Sequence, residues 1–259
     1  MEPRAYSNLP VGLNFLLVGY AYSEGDLAFG SSAPLQDSQV RVHTVPLARL
    51  SATASLDGAT EVSREVSGLA DPGVRLAVNF YGAPAMGAAE FAQYRQDLIV
   101  GASLSVIAPF GQYDADRLVN IGTNRWSVKP ELGVSQALGR WTVELAAGVT
   151  WFTRNDEYFN GNTREQDPIY SAQLHLTRQF GRGAWGAFSA TYYEGGRTTL
   201  NGVARDNRLA GSRLGLALSL PVDRQNSVKL SAQSGLYART GTDFNALGMT
   251  WQHLWGKGL

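Results

Sequence analysis

Apolar and polar positions alternate with a period of two through most of this chain. The stretch WTVELAAGVTWF, residues 141–152, is the sharpest case. Trp141, Val143, Leu145, Ala147, Val149 and Trp151 share one parity, and Thr142, Glu144, Ala146, Gly148 and Thr150 share the other. A strand sends successive side chains to opposite faces, so this is a strand with one apolar face and one small or polar face. The same pattern recurs at 104–110, 126–138, 169–180, 212–222, 227–240 and 247–255, and more weakly at 11–22, 74–82 and 184–193, giving ten strand candidates.

The spacing of aromatic residues narrows the solvent that the apolar faces meet. At about 3.3 Å per residue and a tilt near 45°, Trp141 and Trp151 are separated by roughly 23 Å along the perpendicular. An apolar band of about that height, edged by aromatic girdles, is what an outer-membrane barrel shows to lipid. Trp126, Trp141, Trp151, Trp251 and Trp255 all fall at strand ends and form the expected lipid-interface belt. The connections alternate as well. Segments near 139, 182 and 224 are tight, whereas 111–125, 154–168 and 195–211 are long, polar and rich in Gly, Asn, Asp and Arg. Short periplasmic turns and long extracellular loops are the habit of such barrels.

The expected fold is therefore all-β: a single domain over residues 1–259, a transmembrane antiparallel up-and-down barrel of about twelve strands, or of ten. The choice turns on VRVHTVPLARLSATA, which is too short for two full membrane strands and a turn. Its alternation also fails, with Arg41, His43 and Arg49 on the parity of Val45 and Leu47. Either a short hairpin completes a twelve-strand wall there, or ten strands close and the stretch joins a long outer excursion. Residues 88–97, with Phe91 and Tyr94 three apart, predict a small helix at the periplasmic rim.

Composition agrees with this class. Charged residues are 17% of the chain, glycines number 29, and the net charge is zero, which advertises no attraction to nucleic acid. The absence of cysteine excludes disulfides and thiolate chemistry. No apolar run reaches the length of a membrane helix, and the start MEPRAYSNLP has no signal-peptide features, as expected of an exported chain after processing.

The polar parity gives the candidate lumen: Arg75, Asn79, Lys129, Glu131, Glu144, Gln173, His175, Arg213, Lys229 and Gln233. Such a set either lines a selective path or forms an internal lattice of ion pairs such as Lys129 with Glu144. Chemistry beyond that is thin. His43, His175 and His253 are the only histidines, no HExxH motif occurs, and NDEYFNGN at 155–162 reads as a solvated loop. No catalytic residue, cofactor or metal ligand is expected. A hydrolase would require His175 to meet a serine.

Taken in order, DPGVRLAVNFYGAP, APFGQYDADRLVNIG, GTNRWSVKPELGVSQALG, TREQDPIYS, ATYYEGGRTT and RLGLALSLPV resemble the outer-membrane family of meta-pathway phenol degradation proteins, from about Arg4 to Gly256. The resemblance implies a Gram-negative outer-membrane barrel of about twelve strands that passes small molecules, aromatic or hydrophobic ones among them. Compared with that family, the chain lacks a stretch after Thr44, where the crossing count also falls short. The function expected is a monomeric, porin-like channel or transporter working by passive diffusion. Its partners would be outer-membrane lipids, the outer-membrane assembly machinery that reads a terminal strand ending in Trp255, and a small solute. The alternatives are a plugged barrel that works through its loops, and an outer-membrane lipid hydrolase.

Overall fold

The computed structural model describes residues 3–25, 42–44, 46–56, 60–240 and 244–256. In chain order the strands are β1 (Leu13–Gly25), β2 (Val42–Thr44), β3 (Leu47–Leu56), β4 (Thr60–Leu69), β5 (Gly73–Tyr81), β6 (Leu98–Ile107), β7 (Ser127–Leu138), β8 (Trp141–Phe152), β9 (Asn155–Tyr158) and β10 (Asn162–Gln166). They continue as β11 (Ile169–Gly181), β12 (Ala184–Gly195), β13 (Thr198–Leu200), β14 (Val203–Ala204), β15 (Leu209–Pro221), β16 (Asn226–Thr240) and β17 (Phe244–Gly256). The helix expected near residue 88 is a single turn, α1 (Ala88–Phe91), on the short-turn side.

Eleven strands form one antiparallel sheet in the order β1-β17-β16-β15-β12-β11-β8-β7-β6-β5-β2. The alternating patterns fix its register, because a slip of one residue would turn every apolar side chain of a strand inward. Leu145 on β8 therefore stands beside Val134 on β7 and Leu174 on β11, all on the outer face. The outer face is exposed and apolar, as lipid requires, and it includes Trp126, Trp141, Trp151, Trp251 and Trp255. His253 is stacked between Trp251 and Trp255, with ring centroids 5.7 and 5.9 Å away. The result is an outer-membrane type of barrel wall, with an up-and-down path and tight turns at one end.

The short hairpin expected within VRVHTVPLARLSATA does not form, because its two halves, β2 and β3, pair with different strands. Only β2 joins the main sheet, pairing Val42–Thr44 with Gly73–Arg75 of β5. Beyond it β3 and β4 pair solely with each other among the described residues, from Leu47 opposite Leu69 to Leu56 opposite Thr60. The reason lies in the pattern: Arg49 and Glu65 form an exposed ion pair across this hairpin, which suits water better than lipid. Arg41 and Val45, within the stretch on which the strand count turned, lie outside the described residues, as do residues 26–40.

At the other end of the strands, the long loops are built rather than loose. The connections after β8 and β12 supply a small second sheet, β14-β13-β10-β9. Asp71 ties a third loop to the barrel by accepting from the backbone N–H of Gly111 and from both N–H and hydroxyl of Thr123.

Candidate functional site: the plugged lumen

The first described residues run inside the barrel. Ala5, Tyr6, Ser7 and Asn8 are buried, although they precede β1 and belong to no strand. Tyr6 reaches the β6–β7 wall, where Gly101 and Gly133 stand opposite each other in register. A Cβ at Gly133 would overlap the Tyr6 ring, and one at Gly101 would approach the Tyr6 Cδ1 to 2.8 Å. Two facing glycines thus make the berth for one aromatic ring.

Glu131 on β7 is the hub of this region, 6% exposed. Its Oε1 accepts from the Tyr6 hydroxyl at 3.0 Å and from Arg75 Nη2 at 3.2 Å. Its Oε2 accepts from Gln173 Nε2 at 2.9 Å and lies 2.7 Å from Lys129 Nζ. Arg75 also donates to the Ser103 hydroxyl at 2.9 Å. A carboxylate removed from water needs such partners, and four of them converge from β5, β7, β11 and the N-terminal segment. The ion pair of Lys129 expected with Glu144 is thereby corrected: Lys129 binds Glu131, two residues away on the same face of its own strand. Glu144 instead accepts a hydrogen bond from the backbone N–H of Arg4.

A second row crosses the wall perpendicular to the strands. Register places Ser135, Glu144, His175, Ser189, Gly215 and Gln233 side by side on β7, β8, β11, β12, β15 and β16. His175 Nδ1 and Ser189 Oγ are 2.7 Å apart. The residual space between Ala5, Tyr6, Glu131, Glu144, Gln173 and His175 is about 10 Å3, room for a single water. Arg4 continues across the passage, its guanidinium 5.6 Å from the ring of Trp185, the sixth tryptophan and one that faces inward.

All ten candidate lumen residues lie on the inward parity, but they do not share one environment. Arg75, Glu131, Glu144, Gln173 and His175 are buried against the N-terminal segment or each other. Asn79 donates to the Tyr6 backbone carbonyl at 3.3 Å. Arg213, Lys229 and Gln233, on β15 and β16, are only half-buried, and Arg213 packs over the ring of Phe244. Tyr6 and Arg4 were missed in the sequence. A six-residue segment has no period to read, and only the inward glycines hint that something must come close. Among the described residues no group of three or more histidine or acidic side chains is placed to hold a metal.

A membrane-type barrel wall around a polar lumen, with the N-terminal segment packed against one side of it, defines an outer-membrane type of β-barrel. The family model described as "Putative MetA-pathway of phenol degradation" matches residues 18–251. The chain belongs to that family. The crystal structure of the COG4313 outer membrane channel from Pseudomonas putida F1 is similar at a TM-score of 0.76, with 22% identity over 98% of this chain and 100% of that one. The in-vitro folded OmpT of Vibrio cholerae aligns at a TM-score of 0.43, with 10% identity over 96% of this chain and 99% of its own. Its loop L8 deletion mutant aligns at 0.40, with 11% identity over 94% and 99%. No curated protein matches the chain.

Proposed function

We propose that the protein is a channel of the bacterial outer membrane that passes small molecules passively, with the N-terminal segment setting the width of the path. The observation that carries this reading is the construction of the plug: it is held by hydrogen bonds and a cation–π contact to lumen side chains, all of them reversible. The family description and the printed name of the similar Pseudomonas putida channel support passage of small solutes, aromatic compounds among them. So does the half-open side of the lumen, where Phe15 and Leu17 share the inward parity with Lys229 and Gln233 and offer both apolar and polar surface. The short-turn end is periplasmic in this reading and the protein works as a monomer. It is assembled by the machinery that reads the terminal strand, and diffusion needs no cofactor.

The hydrolase alternative has one observation in its favour, the row Glu144–His175–Ser189. It supplies an acid, a base and a hydroxyl side by side. It lacks room for a substrate, since Ser189 is 2% exposed. It also lacks an oxyanion site, because the strand N–H groups around Ser189 are committed to the ladders of β12 with β11 and β15.

Single-channel recording in planar bilayers tests the channel reading. The intact protein should give small discrete steps, and removal of residues 1–9 should enlarge them severalfold. Absence of conductance from both forms, with heat-modifiable migration proving that the barrels are folded, would point instead to a structural barrel.

A further inference from the structure

The two ends of the barrel handle their arginines differently. At the long-loop end, Arg49, Arg117, Arg154, Arg197 and Arg208 each pair with a carboxylate, while Arg125, Arg205 and Arg239 form no ion pair among the described residues. At the short-turn end, Arg140, Arg178, Arg182 and Arg224 form no ion pair among the described residues. The carboxylates of that end are engaged otherwise: Asp97 accepts from Gln136 Nε2, and Asp223 from the backbone of its own turn and from Asn226. Counted together, Arg95, Arg140, Arg178, Arg182 and Arg224 outnumber Glu90, Asp97 and Asp223 at this end, so positive charge is in excess where the wall meets the membrane surface.

Three of these arginines gather on one seam. Arg178 lies on the outward parity of β11 with Leu174, Leu176 and Phe180, and register sets it opposite Trp141 of β8. On the short-turn half of the described barrel strands it is the single arginine or lysine that faces lipid. Its guanidinium sits 5.2 Å from the Trp141 ring and 6.0 Å from the Phe180 ring. Stacking of this kind holds the plane while leaving its edge donors for an oxygen acceptor. The Gln179 N–H donates to the Arg140 carbonyl at 2.9 Å, which draws the β7–β8 turn against β11, and Arg182 occupies the next turn. Trp141 marks the girdle, so this cluster stands at the depth of lipid headgroups, where an outward arginine is tolerated.

We propose that the β8–β11 seam binds the phosphate of a phospholipid in the periplasmic leaflet, Arg178 being the principal donor and Arg140 and Arg182 favouring an anionic headgroup. The inference rests on the reading of the short-turn end as periplasmic. Charge complementarity chooses the occupant: an uncompensated set of guanidinium groups at an interface selects a phosphate attached to an apolar chain, whose tails can lie along Leu174 and Leu176.

Native mass spectrometry of the folded barrel with equal amounts of phosphatidylglycerol and phosphatidylcholine provides the test. The intact protein should retain phosphatidylglycerol preferentially, and Arg178→Ala should cut that retention roughly fivefold. Arg224→Ala, on a different turn, should leave it unchanged. Arg178→Gln keeps a long stem and repeats the measurement if the alanine variant misfolds. Unaltered retention in the Arg178 variants, or an equal loss in Arg224→Ala, would overturn the site. Insertion into lipid vesicles is scored separately, so that a barrel which inserts without lipid preference refutes the seam alone, and one that never inserts refutes the membrane reading beneath it.

Discussion

The two halves of the lumen wall face one passage yet differ in how far they are closed. On β5 to β12 most inward side chains are buried, with Ser135, Glu144, Thr177 and Ser189 each 2% exposed or less. On β15 to β17 and β1 the inward positions are mostly half-buried or open, Gly19, Ala21 and Ser23 among the exposed ones. Both halves obey the same polar-in alternation, so patterning does not make the difference. The N-terminal segment does: it lies on one half only, where Gly101 and Gly133 leave it space and Glu131 and Glu144 give it acceptors. A uniform barrel becomes an asymmetric passage through a handful of residues outside its strands.

The hardest blow to this contrast is the loss of its hub. Glu131→Ala leaves Arg75 and Lys129 without their shared carboxylate, in a region that water reaches poorly. Removing one partner of a buried ion pair costs about 3–5 kcal/mol. Urea unfolding in vesicles should register a loss of that size, and a loss below about 1 kcal/mol would mean that the plugged half is wetter than its burial implies.

A substitution that reverses sign between the halves is more discriminating. Ala146 borders the residual space beside Ala5 and Tyr6, so Ala146→Arg must push the N-terminal segment away. Overpacking of this kind costs about 1–3 kcal/mol, and the displaced plug should raise conductance and expose residues 4–8 to protease. Ala246 on β17 faces inward beside Gln233 on the half-open side. Ala246→Arg should narrow the existing path and lower conductance. Equal signs would remove the distinction between the halves.

How much of this could be read from the chain follows from the length of each signal. Strands of a dozen residues repeat their period enough times to fix parity, which is why the outward parity of the tryptophans and the inward parity of Arg75, Glu131 and Gln173 were legible. The partners of those residues were not. Parity gives a face, whereas the choice of Glu131 over Glu144 for Lys129 depends on strand tilt and on where Tyr6 lands. The Tyr6 segment itself has too few residues for any period, and its berth is recorded only as two glycines on different strands, which are neighbours through the register rather than through the sequence. The β3–β4 hairpin was not foreseen, since β4 carries charged residues through Glu61, Arg64 and Glu65, and its position off the wall depends on the pairing of Arg49 with Glu65 across strands.

The smallest effect isolates the contrast most cleanly, because it uses the same residue type on each side. Gln173 is buried and donates to the Glu131 carboxylate, whereas Gln233 is half-buried, with no hydrogen bond to its side chain among the described residues. Hydrogen bonds to charged groups contribute about 1.5–3 kcal/mol, so Gln173→Ala should destabilise the barrel by roughly that amount. Gln233→Ala should fall within about 0.5 kcal/mol of the parent, as exposed substitutions do. The two sites lie on different strands without shared partners, so the double variant should be additive. Matching losses at the two positions would require a lumen packed on both sides. The N-terminal segment would then be one filling among several, and its removal would no longer be expected to widen the path.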